Sequence, residues 1–394
     1  MSNKNIKVVI ALSGGVDSSV AAYLLVKQGY DVIGIFMKNW HDETVTVSNE
    51  CPWVEDNYDA MIVAEKLSIP FQTIDLSKDY KERIIDYMFN EYMIGNTPNP
   101  DVLCNREIKF DVFLEIAQNL GADFVATGHY CRVLSGNNHF KLLSGKDLNK
   151  DQSYFLCQLS QKQLSKIMFP IGELNKKEVR LIAKEQNLIT AEKKDSQGLC
   201  FVGKVKLPKF LQQKLKINKG LVIKISSDNS TYNDSLDYNN HSLENLKKLT
   251  KPFDYSIKDG TVLGKHNGAH FFTIGQRKGL AIGGTKEPVF VIKTDVVNNI
   301  VYVGEGKDHP GLYRKVLFIK NNDFHKVRDD VDYQNSNNNF KSRIRYRQPL
   351  QDSKLVFDKD GVFMIFDEMQ SAVSKGQFAA WYKDDELIGS GVIS

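Results

Sequence analysis

The stretch VVIALSGGVDSSVAAYLL, residues 8–25, constrains this chain more than any other. Val8, Val9, Ile10, Ala11 and Leu12 form an unbroken apolar run, the pattern of a strand covered on both faces. Val20, Ala21, Leu24 and Leu25 then recur at helical spacing, and Gly29 stops the helix. Between the two, Ser13, Gly14, Gly15, Val16, Asp17 and Ser18 must turn the chain. A strand, a glycine turn and a helix start aim several backbone N–H groups at one small volume. That is an anion site, most often for phosphate.

The same alternation continues. IKVVIAL, DVIGIFM, FQTIDL and ADFVATG read as strands, and residues near 18–28, 56–67, 79–94 and 106–119 read as helices. This predicts an α/β fold with an open, Rossmann-like parallel sheet that binds ligands at the strands' C-terminal ends. From about residue 206 the pattern changes. An Asn- and Ser-rich segment, about 222–256, reads as an exposed insertion, and short β-like runs with turn signals follow it. The expected organisation is a catalytic domain over 1–205, a small central domain over 206–287, and a C-terminal antiparallel β-barrel over 288–394.

Composition excludes more than it selects. A net charge of +4 is too mild to argue for a nucleic-acid partner without clustering. No apolar run approaches the roughly 18 residues of a membrane span, and the polar start lacks a signal-peptide core, so a cytoplasmic location is expected. The cysteines, Cys51, Cys104, Cys131, Cys157 and Cys200, are odd in number and scattered, which argues against a disulfide framework. No CxxC pair points to zinc, and no metal site is expected of the protein's own ligands.

The turn is not a common P-loop, since no lysine follows Gly15, and it lacks the dinucleotide G-x-G-x-x-G. Its serines and bare glycines can wrap a pyrophosphate closely. Asp17 would repel phosphate, so it either caps the helix or helps hold Mg²⁺. ALSGGVDSS resembles the PP-loop of the ATP pyrophosphatases, which adenylate their substrates and release pyrophosphate.

Two cysteines sit in unusual company. TPNPDVLCN places Cys104 on a loop beside a helix start, and KKDSQGLCF places Cys200 beside Gly198 after two lysines. Such surroundings favour thiolate, and polar loops are poor places for core residues. Cys51, Cys131 and Cys157 read as small buried hydrophobes. With GIFMKNW, TPNPDVLCN, ATGHY, KDQSYFL, KKDSQGLCF, TIGQRKGL and RYRQ in this order, nearly the whole chain resembles the tRNA-specific 2-thiouridylases. The resemblance implies thiolation at C2 of the wobble uridine in tRNA. ATP, with Mg²⁺, would adenylate the C2 oxygen. A persulfide on Cys200 would supply sulfur, with Cys104 as the partner thiol, leaving a Cys104–Cys200 disulfide to be reduced. A sulfur-donor protein and a reductant follow as partners. This chemistry explains the residue set: adenylation makes a poor leaving group a good one, and one thiol carries sulfur while another takes up its bond.

Carried across residue by residue, the resemblance implies ATP contacts at Ala11, Leu12, Ser13, Gly14, Gly15, Val16, Asp17, Ser18, Met37 and Gly128. The target base would meet Asn99, Pro100 and Asp101. Asp101 is placed to move a proton or position the base, or else it caps its loop. Contacts to tRNA would come from His129, Lys150, Asp151, Gln152, Arg345, Tyr346 and Gln377. In KSRIRYRQ, Lys341, Arg343, Arg345 and Arg347 fall at every second position, and on a strand they share one face. Such a row needs either carboxylates on a neighbouring strand or a phosphate backbone opposite it. Arg277 and Lys278, on a glycine-flanked turn, offer a second backbone contact. Two other readings compete: a PP-loop amide ligase, which would need no redox thiols, and a tRNA-binding module with a vestigial ATP site.

Overall fold

The computed structural model describes residues 3–39, 52–136, 138–194, 207–232, 236–335 and 339–394. Its first sheet is parallel, in the order β3-β2-β1-β4-β7, with β1 (Lys7–Ala11), β2 (Asp31–Lys38), β3 (Phe71–Asp75), β4 (Phe124–Ala126) and β7 (Ile167–Met168). Chain order reverses at β1, so a crevice opens between the ends of β1 and β4, where open sheets of this kind take ligands.

Both faces of β1 are covered, as its apolar run requires. Val8, Ile10 and Leu12 pack with Val20 and Leu25 of α1 (Val16–Lys27), Val63 of α2 (Pro52–Lys66) and Val179 of the helix Lys176–Glu185. Val9 and Ala11 face the other way, with Ile35, Met37, Tyr80, Leu103, Cys104 and Phe113. The helical runs 77–93 and 100–119 build that second layer. Gly29, at φ 81°, ends α1 as its position predicts, its N–H donating to the Val26 carbonyl.

The second sheet has the order β10-β11-β8-β9, from β8 (Gly220–Ile225), β9 (Gly260–His266), β10 (Val289–Asp295) and β11 (Ile300–Glu305). The hairpin of β10 and β11 was expected in the C-terminal barrel. It pairs instead with β8, because Val291, Val301 and Val303 bury their side chains with Val222, Ala269 and Leu280. The barrel itself closes six antiparallel strands: β12 (Tyr313–Lys326), β15 (Gly361–Ser371), β14 (Gln351–Asp358), β13 (Phe340–Arg343), β16 (Phe378–Lys383) and β17 (Glu386–Ile393), with β17 returning to β12. Trp381, Phe366, Phe340 and Met364 fill it. The hairpin of β5 (Cys131–Ser135) and β6 (Phe140–Ser144), drawn from the N-terminal half of the sequence, adds to β17. The N-terminal unit and the barrel therefore share one sheet.

The Asn-rich segment is largely exposed over 226–232 and 236–245, as expected, but both of its ends are folded in. Within 222–256, β8 is a buried strand, and the helix Leu243–Thr250 is capped by the Ser242 hydroxyl. Leu246 and Leu249 pack on Val316, Phe363 and Ile365 of the barrel, and Lys247 pairs with Asp358 at 2.7 Å. The Asn side chains of this insertion make local turns: Asn229 accepts from the Thr231 N–H and Asn240 from the Ser242 N–H. Leu246→Ala should therefore cost about 2–5 kcal/mol of stability by denaturant unfolding. An unchanged midpoint would mean that this helix is not docked.

Candidate active site

The glycine turn is held by close backbone contacts. Gly14 adopts φ 71°, and a Cβ there would overlap the Asp56 carbonyl oxygen of α2. At the end of β4, a Cβ on Gly128 would lie 2.7 Å from the Asp17 carbonyl carbon and the Ser18 nitrogen. Residues 14 and 128 must be glycine for the two strand ends to meet the first turn of α1. That helix has no side-chain cap, so its first N–H groups face the crevice between β1 and β4. The Ser18 hydroxyl accepts from the Ser13 N–H at 3.1 Å and donates to the Gly15 carbonyl at 3.1 Å; Ser19 donates to the same carbonyl at 2.8 Å. These hydroxyls brace the turn itself.

Asp17 does not cap α1, whose N-cap is Gly15. Its carboxylate accepts from Lys176 Nζ at 2.7 and 2.8 Å and from the Tyr130 hydroxyl at 2.7 Å. The cation absent from the loop is thus brought in by a helix 159 residues away. The sequence reading missed Lys176: Asn175 and Glu178 announce a capping box and a helix start, but no local signal aims Lys176 at Asp17.

The Cys104 segment differs from expectation. Asn99 accepts from the Val102 N–H and Pro100 takes the first helical position, so the helix starts at 100, and Cys104 lies within it. From Cys104 to Val112 the helix widens to π geometry, with Phe110 off helical dihedrals at φ −117° and ψ 15°. Cys104 is 0% exposed and belongs to the cluster that contains Ala11 and Met37. It is a core residue, on a capped helix that the Pro-rich sequence disguised as a loop. Asp101 is half-buried, and its carbonyl accepts from Asn105. Asn99 donates to Gln377 at 3.4 Å, and Gln377 donates to the carbonyls of Thr97 and Pro98 at 2.8 and 3.2 Å. The loop expected to meet the base and the barrel residue expected to meet tRNA are thus one hydrogen-bonded unit.

Cys200 and Cys51 lie outside the described residues. The chain leading toward Cys200 is anchored: Lys193 pairs with Asp56 at 2.6 Å and with Asp59, and Arg180 donates to the carbonyls of Ala191 and Lys193. Asp56 is the residue whose carbonyl abuts Gly14. Cys131 and Cys157 are buried free thiols, as predicted. Burial pushes both pKa values up, that of Cys157 to about 12, which makes them inert at neutral pH.

Several residues expected on an RNA-facing surface lie inside. His129 is 8% exposed, beside Phe110 and Phe169, with Nδ1 2.7 Å from the Thr127 hydroxyl and Nε2 3.5 Å from Lys109 Nζ. Burial, and then the charge of Lys109, hold its pKa well below the usual range, so its imidazole is neutral. Asp151 is 4% exposed; it accepts from Gly145 and Ser153 and pairs with Arg343 at 2.6 Å. Gln152 accepts from the Tyr130 N–H, while Lys150 is half-buried. Arg345 donates to the carbonyls of Ser371 and Ala372, and Tyr346 packs on Phe155 at 4.3 Å.

The alternating cations do not share a strand face. β13 ends at Arg343, and Arg347 sits in a turn at φ 64°. Lys341 meets Asp352, its cross-strand partner, at 3.2 Å, and Arg343 meets Asp151, so carboxylates answer two of the four. Arg277 and Lys278 are exposed on a turn flanked by Gly275 and Gly279, both at positive φ. Asp151→Ala should destabilise the fold by about 3–5 kcal/mol by leaving Arg343 buried and unpaired, and Asp151→Leu combined with Arg343→Met should recover much of it. Denaturant midpoints of the three proteins check this.

Residues 6–204 match the family described as tRNA methyl transferase HUP domain, 253–305 the tRNA methyl transferase PRC-barrel domain, and 314–393 the aminomethyltransferase beta-barrel domain. The chain is 63% identical over 394 residues to the tRNA-specific 2-thiouridylase MnmA of Christiangramia forsetii, covering 98% of this chain and 100% of that one. The protein of the same name from Flavobacterium johnsoniae is 59% identical over 98% of this chain and 100% of its own. That of Staphylococcus aureus (strain bovine RF122 / ET3-1) is 41% identical over 100% and 96%. Among solved structures, a 4-thiouridine synthetase–RNA complex with bound ATP aligns at a TM-score of 0.33 and 18% identity, over 54% of this chain and 51% of that one.

Proposed function

The chain belongs to the tRNA-specific 2-thiouridylase family, and on that footing we propose that it is an ATP-dependent tRNA sulfurtransferase that converts the wobble uridine to 2-thiouridine. The observation that supports the reading is the shared burial of Cys104 with Ala11 and Met37: the segment with the expected thiol packs in the same core as the strands that lead to the glycine turn.

The uracil C2 oxygen would attack the α-phosphate of ATP, and pyrophosphate would leave. The N-terminus of α1 and the Gly14–Gly15 turn supply donors for the phosphates, with Gly128 and Met37 completing the nucleotide contacts. Lys176 offsets the carboxylate of Asp17, which would otherwise repel the incoming anion. Mg²⁺ accompanying the triphosphate would find Asp17 as the carboxylate of the turn. Among the described residues no cluster of three His, Cys, Asp or Glu side chains stands ready for a metal of its own.

The terminal sulfur of a Cys200 persulfide would then attack C2, and AMP would leave. Cys104 thiolate would attack the Cys200 sulfur, forming the Cys104–Cys200 disulfide and releasing the thiocarbonyl of the base. Two electrons from a reductant would restore the thiols, and a sulfur-donor protein would reload Cys200. Asn99, Pro100 and Asp101 would hold the base, steadied by Gln377 of the barrel. Arg277 and Lys278 would meet the RNA backbone.

Nucleoside mass spectrometry of tRNA from cells carrying only Cys104→Ser or Cys200→Ser should show 2-thiouridine lost in both. Pyrophosphate release with purified protein and tRNA should persist in Cys104→Ser and fail in Gly14→Ala. Normal 2-thiouridine in both cysteine variants would overturn the reading in favour of a ligase that needs no thiols.

A further inference from the structure

Asn39 closes the segment GIFMKN at the end of β2 and is 2% exposed. Neither its amide nitrogen nor its amide oxygen has a hydrogen-bond partner among the described residues. A buried carboxamide with both ends unpaired is costly and is rarely retained without a use. The other buried side-chain amide near the thiol, Asn105, keeps one partner, the Asp101 carbonyl. Asn39 keeps none.

Its place follows from the strand before it. Ile35 and Met37 face the cluster that contains Cys104 and Ala11. Lys38 faces the opposite way, over the Trp53 ring at 5.1 Å and paired with Asp75 at 2.8 Å. Asn39 follows as the first residue after the strand, and it is buried. The ladder gives its edge of the sheet: Ala11, the last residue of β1, pairs with Ile35, and Asn39 directly follows the end of β2, on the same edge at which β1 enters the glycine turn. Neighbouring strands are about 4.8 Å apart. A nucleotide whose phosphates sit in that turn has its base within reach of this position.

We propose that the Asn39 carboxamide reads the adenine of the bound ATP. The inference rests on the nucleotide reading given under Proposed function. Phosphate accepts hydrogen bonds and offers none, so it could not satisfy the amide oxygen. A ligand that satisfies both ends must present a donor beside an acceptor, and the N6–H and N7 edge of adenine is the standard complement of an asparagine side chain. Uracil also offers a donor beside an acceptor, but its expected holders, Asn99 to Asp101, belong to a different element, tied to the barrel by Gln377. Asn39 directly follows the strand beside the phosphate turn.

Calorimetric titration of the full-length protein with ATP, inorganic tripolyphosphate and purine riboside triphosphate, which lacks the 6-amino group, tests this. Wild type should bind ATP more tightly than purine riboside triphosphate. Asn39→Ala should lose roughly 5- to 100-fold in ATP affinity and no longer distinguish the two nucleotides. Its tripolyphosphate affinity should be unchanged. Asn39→Leu, close in volume but with no hydrogen-bonding group, gives the same comparison should the alanine variant fail to fold. Unchanged ATP affinity in a folded variant would overturn the proposal, and a change confined to tRNA affinity would do so in favour of the target base. Failure of wild type to bind ATP at all would instead overturn the nucleotide reading beneath it.

Discussion

The contact on which this site depends is the one between Gly14 and the Asp56 carbonyl. A side chain at 14 would collide with backbone, and the positive φ there is one that a β-carbon resists. That contact lets the chain leave a central, doubly covered strand and enter α1 within four residues. Where the turn sits decides where the helix N-terminus points. Gly128 repeats the device from the other side, pressing the end of β4 against the first turn of the same helix. Two missing β-carbons thus shape one anion cradle.

A cradle that attracts anions carries an aspartate in its first turn, and the fold resolves that conflict at long range. Lys176 reaches Asp17 with both carboxylate oxygens in hydrogen-bond distance, and Tyr130 adds a third bond. The pair is only partly exposed, with Lys176 at 13% and Asp17 at 32%, so its strength lies between that of a surface bridge and a buried one. The barrel is joined in a similar way. Asp151 and Arg343 form a buried pair near the Tyr382 ring, while Gln377 ties the loop before Cys104 to the barrel. A substrate that touches the barrel therefore touches groups bonded directly to the segment that carries the thiol.

The sequence made the local part of this arrangement legible. The apolar run, the turn glycines and the period of α1 each carry their signal within a dozen residues, and the structure follows them. Cys131 and Cys157 read correctly as core because a free cysteine outside a Pro- and Gly-rich polar loop defaults to a small buried hydrophobe. What failed was non-local. Nothing near residue 176 or residue 343 announces a carboxylate 159 or 192 positions away. The regular spacing of Lys341 to Arg347 held its meaning only while the strand lasted, and the strand stops at Arg343. The Pro-rich stretch before Cys104 misled for another reason: proline at a first helical position and asparagine at a cap are helix signals that share their letters with turns. The Asn-rich segment concealed its capped helix likewise, since caps and exposed loops draw on the same residues.

The burial of Cys104 bears on how such a site controls its own chemistry. A thiol with no exposed surface is kept from stray oxidants. Its reactivity then depends on what enters the crevice. The helix that carries it is π-wound from Cys104 to Val112 and breaks from helical dihedrals at Phe110, a geometry with weaker internal bonding than the α-helix. Rearranging such a turn forfeits less than unwinding an α-helical one. The same helix begins at Asn99, whose side chain is shared between its own cap and Gln377 of the barrel. A ligand that competes for either amide loosens the start of that helix. In the proposed reaction, access to the Cys104 thiol would thereby be coupled to occupancy of the loop in front of it.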